Sequence, residues 1–154
     1  MSALIRPMQA EDLAVVHRIE NHNAAFPWTA GHFADSLAAG HDCWSLVLDG
    51  AVIGYAIAMP VVDEVHLLNL GVDAMHQRQG WGRRLLGWVE EQARACAHDS
   101  VLLEVRRSNV GAIALYASAA YQAIGVRKAY YPALNGREDA WVMRKTLMPR
   151  SEDE

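Results

Sequence analysis

The sequence predicts an α/β or α+β domain of three layers around a mixed β-sheet. Two observations predict this fold class. Apolar runs of strand length form a meander in the first half of the chain, where Asp49-Gly50 is a two-residue hairpin signal. Stretches with apolar residues three or four apart then alternate with strands, which is typical of a strand–helix–strand unit.

Length and composition indicate one globular domain. A chain of 154 residues has the length of a single domain. Hydrophobic residues make up 52% and charged residues 21%, which excludes an intrinsically disordered chain. We expect residues 1–148 to form the domain and residues 149–154, which end in Glu152-Asp153-Glu154, to form an acidic tail in solvent.

The order of predicted elements is β-α-α-β-β-β-α-β-α-β-β. Strands are predicted over residues 3–6, 43–48, 51–59, 61–72, 100–106, 121–127 and 140–147, with Pro7 and Pro60 closing the first and third. Helices are predicted over residues 10–23, between Thr29 and Gly40, over residues 81–96, and from Asn109 to residue 120. Residues 128–139 are expected to form an aromatic and charged loop.

Charge and cysteine content exclude several classes of protein. A formal net charge of −4 offers no broad basic face for non-specific nucleic-acid binding. Cys43 and Cys96 lie far apart, which is typical of a reduced cytoplasmic protein rather than a disulfide scaffold. No secretory signal is evident, and no apolar run approaches the roughly 20 residues that span a bilayer. We therefore expect a cytoplasmic protein without membrane attachment.

The segment 77–84, QRQGWGRR, lies between a predicted strand and a predicted helix. Its glycines let backbone N–H groups turn toward an anion, and a helix N-terminus adds a favourable dipole. Arg78, Arg83 and Arg84 add positive charge. The spacing matches neither the Walker loop nor the dinucleotide motif. These features indicate a pyrophosphate-binding turn, and a plain turn that begins a helix is the alternative.

Glu104 is the only ionisable residue in the apolar run 101–105. A carboxyl group among apolar neighbours tends to have a raised pKa, which suits a general base. The alternative is a carboxylate at the end of a strand that faces water or pairs with Arg106 or Arg107.

Tyr116 follows the predicted helix cap Asn109 at helical spacing. An aromatic residue in this position usually belongs to the core, so a chemical role is one of two readings. Asn109 is most simply a cap, although a side chain at a strand–helix junction also reaches a ligand along the strand end.

The remaining reactive residue types form no recognised motif. None of the seven histidines lies in a metal-binding pattern, so we expect no metal site. The chain has no GxSxG nucleophile motif, and neither cysteine has a neighbouring base signature. Covalent catalysis by an enzyme nucleophile is therefore not predicted.

Taken together, these residues resemble the GNAT N-acetyltransferase superfamily from Ile5 to about Leu147. Residues 77–82, QRQGWG, are similar to the acetyl-CoA motif Q/R-x-x-G-x-G/A. Within the superfamily, the chain resembles the ribosomal-protein-alanine N-acetyltransferases. The similar segments are Ala25-Phe26-Pro27-Trp28, Asn69-Leu70-Gly71-Val72-Asp73, Leu103-Glu104-Val105-Arg106, Ser108-Asn109, Ala112-Ile113-Ala114-Leu115-Tyr116, Tyr130-Tyr131-Pro132 and Asn135-Gly136-Arg137-Glu138-Asp139-Ala140.

The resemblance implies a three-layer α-β-α fold whose sheet splays between its two middle strands, with acetyl-CoA as the acetyl donor. It implies that free backbone groups of Leu70, Gly71 and Val72 pair with pantetheine and that the Val72 N–H polarises the thioester carbonyl. Gly71 follows a bulky residue in the splayed strand, a departure that we expect to matter little. The pyrophosphate ligands implied are Arg78, Gln79, Gly80, Trp81, Gly82 and Arg83, and the further coenzyme A contacts are Asn109 and Tyr116.

The resemblance further implies direct acyl transfer, with Glu104 as general base and Tyr116 as the acid that protonates the departing thiolate. Both substrates are bound at once, so positioning supplies much of the rate and no enzyme nucleophile is needed.

The implied acceptor is the N-terminal amine of a ribosomal protein. Its groove would be formed by Phe26 and Trp28 with Tyr130 and Tyr131, because tyrosines offer amphipathic contact surfaces for a peptide. Glu138 and Asp139 either bind the acceptor ammonium or face solvent. Two alternatives remain on the same scaffold, a small-molecule amine acetyltransferase and a non-catalytic acyl-CoA-binding module.

Overall fold

The computed structural model describes residues 2–148, which contain seven β-strands and four α-helices. In chain order these are β1 (Ala3–Pro7), α1 (Leu13–Asn23), α2 (Ala30–Ala38), β2 (Asp42–Leu48), β3 (Ala51–Val61), β4 (Glu64–Val72), α3 (Trp81–Ala95), β5 (Ser100–Arg106), α4 (Val110–Ser118), β6 (Gln122–Ala133) and β7 (Gly136–Thr146). The predicted order of elements is confirmed. The predicted acidic tail, residues 149–154, lies outside the described residues.

The chain divides into two compact units. The first comprises residues 2–60 with Leu68–Val89, and the second comprises Val61–Leu67 with residues 90–148. Strands β1, β2, β3 and the end of β4 follow one another in the first unit, and β1–β2 and β2–β3 are antiparallel. Across residues 2–148, no helix combines the length and the apolar character that a bilayer crossing requires.

Helices cover both faces of the sheet in the first unit. Tyr55 of β3 lies in a buried cluster with Val16 of α1 and Phe33 of α2. Its neighbour Gly54 faces the other way, since a Cβ there would meet Leu85 of α3 at 3.2 Å. Successive residues of a strand point to opposite faces. The first unit therefore has α1 and α2 on one side and α3 on the other, which are the predicted three layers.

Local signals in the sequence form the predicted caps and turn. The Thr29 hydroxyl accepts a hydrogen bond from the backbone N–H of His32 at 3.2 Å, and Asn109 Oδ1 accepts one from Ala112 at 3.2 Å. Asp49 and Gly50 have φ angles of 49° and 86°, as a two-residue hairpin turn between β2 and β3 requires. Each cap satisfies a backbone donor that the helix itself leaves free.

In the second unit the strands pair in the order β4-β5-β7-β6. Strands β4 and β5 are parallel, with Glu64–Leu67 beside residues 100–103, whereas β5–β7 and β6–β7 are antiparallel. These parallel and antiparallel pairs confirm a mixed sheet, and its splay between the two middle strands stays a prediction.

Three predicted boundaries are wrong. Strand β3 continues through Pro60, because its register with β2 ends at Ala58 and the missing proline N–H costs no bond to that neighbour. The stretch 61–72 is interrupted at Val62, whose φ of 54° makes a turn before β4 begins. The expected loop 128–139 is mostly strand, since β6 and β7 form a hairpin with residues 134–135 as its turn.

The end of β4 lies directly against Tyr55. A Cβ on Gly71 would stand 2.5 Å from Tyr55 Oη and 2.6 Å from Cζ. The Tyr55 side chain is fully buried, and its hydroxyl donates to Glu20 Oε1 at 2.5 Å, so the ring has little freedom to move aside. This position therefore excludes a side chain, and the expectation that the departure at Gly71 has little effect on a site that works through backbone groups stays a prediction.

We expect Gly71→Ala to lower the free energy of unfolding by about 1–3 kcal/mol, because the added methyl group overpacks the site above Tyr55. Gly87→Ala is the matched control, since no outside atom lies within 4 Å of its Cβ position in α3. Alanine there should stabilise the chain by up to about 1 kcal/mol. Urea unfolding of both variants measures the difference, and equal effects would contradict the steric argument.

Candidate active site

The turn between β4 and α3 has the backbone conformation of an anion-binding loop. Arg78 and Gly80 have φ angles of 63° and 90°, so left-handed residues alternate with ordinary ones. Such alternation turns successive N–H groups toward one side, where they bind an anion. No heavy atom outside its neighbours lies within 4 Å of a Gly80 Cβ position. The space above this turn is therefore open.

The N-terminus of α3 adds to this positive site. The helix has 15 residues and begins at Trp81, so its first N–H groups and its dipole meet the turn. Arg78, Arg83 and Arg84 all have exposed side chains. The indole N–H of Trp81 donates to Gln79 Oε1 at 3.3 Å, which braces the turn. Gly82, another of the predicted pyrophosphate ligands, also lies in the first turn of α3.

The carbonyl of Val72, at the end of β4, is fixed by two side-chain amides. Asn23 Nδ2 and Gln77 Nε2 each donate to it at 2.9 Å. The next backbone N–H, that of Asp73, donates to the carbonyl of Ile53 at 2.8 Å. Both polar groups of the peptide between Val72 and Asp73 are therefore held in place.

The preceding peptide directs the Val72 N–H away from β3. The carbonyl oxygen of Gly71 lies 2.9 Å from the Cβ position of Gly54, so this carbonyl faces β3. No peptide bond of the described residues is cis. In a planar trans peptide the N–H points opposite to the carbonyl. The Val72 N–H is thus directed away from β3, and its predicted contact with the thioester stays a prediction.

Side-chain alternation is broken in β4 just before Val72. Leu68 packs against the cluster that contains Tyr55, and a Cβ on Gly71 would point at Tyr55 as well. In a regular strand these two positions face opposite sides, so a bulge lies between them, a feature often found beside active sites. Within the same stretch, Asn69 Nδ2 is buried and has no hydrogen-bond partner among residues 2–148. The sequence analysis assigned no role to Asn69.

Glu104 is buried on β5 of the second unit and has two basic neighbours. Its side chain is 5% exposed. His66 Nε2 lies 2.7 Å from Oε1, and Arg127 Nε lies 3.1 Å from Oε2. The arginine is not aligned with Oε2, which has no hydrogen bond of good geometry among the described residues. The alternative that Glu104 pairs with Arg106 or Arg107 does not hold, because those arginines contact Glu138 and Asp139.

Two tyrosines of the β6–β7 hairpin surround Glu104. Hydrogen bonding with the Glu104 carboxylate, together with burial and the negative charge, raises the pKa of Tyr130. Burial and the charge of Glu104 raise the pKa of Tyr131 to about 12. The Tyr131 hydroxyl donates to the backbone carbonyl of Glu104 at 3.2 Å, and its ring lies 4.5 Å from the Arg106 guanidinium. Both hydroxyls are thus protonated at neutral pH.

Glu138 and Asp139 are occupied by partners within the hairpin region. Glu138 accepts from Arg106 at 3.1 Å and from the Ser108 backbone N–H at 2.9 Å, and these contacts lower its pKa. Asp139 accepts from the Ala129 backbone N–H at 2.9 Å. Both carboxylates therefore stabilise this part of the chain, which leaves little room for a role in binding an acceptor ammonium.

Tyr116 is a buried residue of α4. Burial, with a smaller effect of Tyr131, raises the pKa of Tyr116 to about 12. Its ring packs 5.9 Å from that of Tyr121. Asn109 uses Oδ1 as the cap of α4 and keeps its amide nitrogen for other contacts. The structure thus places Glu104, Tyr116, Tyr130 and Tyr131 in one compact unit.

The other two predicted acceptor residues lie in the first unit. Trp28 packs against Phe33 at a ring distance of 5.1 Å and borders the buried cluster. Phe26 is 38% exposed.

The absence of a metal site stays a prediction from the sequence. Within residues 2–148, no group of three or more His, Cys, Asp or Glu side chains lies close enough together to hold a metal ion.

His66, Arg127 and Asn23 are contacts that the sequence analysis missed. Each belongs to an element remote in sequence from the residue it touches, so spacing gives no signal for Arg127 or Asn23. A signal existed for His66, because strand periodicity and a parallel β4–β5 pair put it on the same face as Leu102 and Glu104.

Comparisons with known proteins agree with this geometry. The profile of the Acetyltransferase (GNAT) family matches residues 8–121. Over 139 residues the chain is 37% identical to the ribosomal protein bS18-alanine N-acetyltransferase of Escherichia coli (strain K12), covering 90% of this chain and 94% of that protein. The enzyme of the same name from Haemophilus influenzae is 32% identical over 142 residues, 92% of this chain and 97% of that protein.

A solved structure is similar over the full length. The crystal structure of the ribosomal-protein-S18-alanine N-acetyltransferase from Escherichia coli matches with a TM-score of 0.88 and 35% identity, covering 99% of each chain. Sequence profile, relatives and structure thus agree on the family that the motif at residues 77–82 indicates. The chain belongs to the GNAT family of acetyltransferases, whose acetyl donor is acetyl-CoA.

Proposed function

We propose that this chain transfers the acetyl group of acetyl-CoA to the N-terminal α-amine of a ribosomal protein that begins with alanine. The observation that carries this proposal is the 37% identity over 90% of the chain to an enzyme named for that reaction. The arrangement of a buried carboxylate among tyrosines in the second unit supports it. Because the acceptor is a ribosomal protein, we place the reaction in the cytoplasm.

The β4–α3 turn fits the pyrophosphate of acetyl-CoA. The turn has open space at Gly80, two residues in the left-handed conformation and three exposed arginines. These features suit a doubly charged anion. Leu70, Gly71 and Val72 would hold the pantetheine arm through backbone groups. The family resemblance also implies Asn109 and Tyr116 as coenzyme A contacts. When bound, acetyl-CoA supplies a thioester whose carbonyl carbon accepts the amine and whose sulfur departs as a thiolate.

The Val72 N–H is proposed to stabilise the negative charge that develops on the thioester oxygen. Its orientation does not depend on a mobile side chain, because the neighbouring peptides are fixed by Asn23, Gln77 and the packing of Gly71 on Tyr55. A preorganised donor needs no rearrangement during the reaction, which makes its stabilisation effective.

Glu104 is proposed as the general base. The acceptor nitrogen must lose a proton to become nucleophilic, and Glu104 Oε2 takes that proton directly or through a water molecule. An α-amine has a pKa near 8, so about a tenth is already neutral at pH 7, against about one lysine amine in a thousand. A carboxylate is therefore a sufficient base for an N-terminal acceptor.

Tyr116 is proposed as the acid. A pKa raised to about 12 keeps its hydroxyl protonated at neutral pH, so it can donate to the departing sulfur. Tyr130 and Tyr131 are proposed to contact the acceptor peptide together with Phe26 and the exposed edge of Trp28.

We expect Gly80→Ala to weaken acetyl-CoA binding by about tenfold, because alanine disfavours the φ of 90° that directs the loop N–H groups. Gly40→Ala is the control: its φ is 78°, and its Cβ position is also free of contacts. Both variants should lose similar stability, while calorimetric titration of acetyl-CoA should separate them. An equal change in affinity would remove Gly80 from the binding site.

We expect Glu104→Gln to lower kcat by about 10²–10⁴-fold, because the amide cannot accept the proton. Tyr116→Phe should also lower kcat, since the ring remains but its donor is lost. Acetyl-CoA affinity should change less than about twofold in Glu104→Gln, because Glu104 is not among the proposed coenzyme A contacts, whereas Tyr116→Phe removes one such contact. Steady-state kinetics with parallel calorimetry tests this, and unchanged turnover in either variant rules out the role of that residue.

The acceptor is tested with a peptide that begins with alanine and contains an internal lysine, compared with its N-terminally blocked form and with small amines such as polyamines. Mass spectrometry should locate the acetyl group on the α-amine and find little product with the blocked peptide. Lysine or small-amine products would favour the small-molecule alternative, and acetyl-CoA binding without any product would favour a non-catalytic binding module.

A further inference from the structure

The contact between His66 and Glu104 is not explained by the roles assigned above. His66 belongs to β4, and its Nε2 lies 2.7 Å from Glu104 Oε1. The register pairs His66 with Leu102, so the imidazole and the carboxylate project from the same face of the sheet. Glu104 is 5% exposed and His66 is 24% exposed, so the contact connects a buried carboxylate with a partly accessible ring.

The chemistry of this contact fixes where the proton lies. An ionised carboxylate oxygen can only accept a hydrogen bond, so the nitrogen that faces it must carry hydrogen. A hydrogen bond across this 2.7 Å contact would therefore have His66 Nε2 as its donor and Oε1 as its acceptor. The second oxygen, Oε2, is buried without a well-aligned hydrogen bond among the described residues.

The surroundings of His66 keep it in place. Glu64, two residues earlier on β4, accepts hydrogen bonds from Ser100 at 2.7 Å and from Arg144 at 2.8 Å, which lower its pKa. On the far side of Glu104 lie Arg127 of β6 and the hydroxyl of Tyr130. His66 thus lies in a row of polar and charged side chains from β4, β5, β6 and β7.

We propose that His66 is a positioning residue for the base: it holds Oε1 of Glu104 and thereby leaves Oε2 as the atom that receives the proton of the acceptor amine. This inference rests on the proposed function. In the step itself, one N–H bond of the ammonium breaks, an O–H bond forms at Oε2, and the electron pair left on nitrogen attacks the acyl carbon. The carbon–sulfur bond then breaks, the departing thiolate takes the proton of Tyr116, and the second proton lost by the nitrogen restores the Tyr116 hydroxyl. The hydrogen on Nε2 does not move.

A positioning role makes a prediction that a packing role does not. Gln at position 66 can present its Nε2–H to Glu104, whereas Leu keeps the bulk and has no donor. His66→Leu should lower kcat by about 10-fold to 100-fold, because the carboxylate loses its orientation. His66→Gln should recover most of that loss. Acetyl-CoA affinity and the midpoint of thermal unfolding should be alike in the two variants.

Steady-state kinetics of the full chain with the alanine peptide measures the first part, with calorimetry and thermal unfolding as checks on binding and folding. Equal loss in both variants would contradict the positioning role, and so would full activity in His66→Leu. A fall in kcat that is rescued by Gln supports it.

Heteronuclear NMR of the ring nitrogens tests the contact without any turnover. A slowly exchanging hydrogen on His66 Nε2 in the wild-type chain, which exchanges faster in Glu104→Ala, supports the assignment; hydrogen on Nδ1 alone overturns it. If the wild-type chain acetylates no peptide amine, the proposed function fails, and the ring measurement alone decides the assignment of His66.

Discussion

The packing of Gly71 on Tyr55 is the constraint on which the end of β4, the part of the chain proposed to hold acetyl-CoA, depends. Tyr55 is fully buried and hydrogen-bonded to Glu20, so its ring is a fixed surface beneath the end of β4. Only a residue without a side chain allows the strand to lie that close. The break in side-chain alternation before Val72 and the Gly71 carbonyl that faces β3 occur at this same point of the strand. A buried aromatic residue of the core thereby limits the path of the strand that carries the Val72 N–H, the proposed thioester contact.

The second unit surrounds the buried carboxyl group of Glu104 with polar partners that leave one of its oxygens without a well-aligned hydrogen bond. An isolated buried charge is costly, and a charge with all its lone pairs satisfied is a poor proton acceptor. Glu104 has His66 on one oxygen and an arginine near, but not aligned with, the other. The partners offset part of the desolvation cost while one lone pair stays available. This incomplete satisfaction is what a base needs.

Local signals account for most of what the sequence predicted correctly. Thr29, Asn109 and Asp49-Gly50 act through neighbours a few residues away, and the Q/R-x-x-G-x-G motif acts through backbone geometry that glycine alone favours. Wrong or missing predictions concern contacts between distant segments. Gly71 is required by Tyr55, sixteen positions earlier in the chain, and the turn at Val62 was hidden because a β-branched residue rarely has a positive φ.

The hairpin of β6 and β7 was also hidden, because its aromatic and charged residues resemble a loop in composition. The fold shows why these residues occur in the hairpin. Tyr130 and Tyr131 surround Glu104, and Glu138 fixes the start of α4 through Arg106 and Ser108. Composition cannot tell a charged loop from a charged strand when the partners of those charges lie elsewhere in the chain.

The raised pKa values of the tyrosines agree with the proposed roles of Glu104 as base and Tyr116 as acid. The pKa values of Tyr116 and Tyr131 are raised to about 12, and that of Tyr130 is raised as well, so all three phenols keep their protons at neutral pH. None of them can then compete with Glu104 for the proton of the amine. Within one active site, two groups whose environments push their pKa values apart are usually the acid and the base. In this chain the negative charge of Glu104 raises the pKa values of Tyr130 and Tyr131, so the carboxylate that is proposed to accept a proton also helps its tyrosine neighbours to keep theirs.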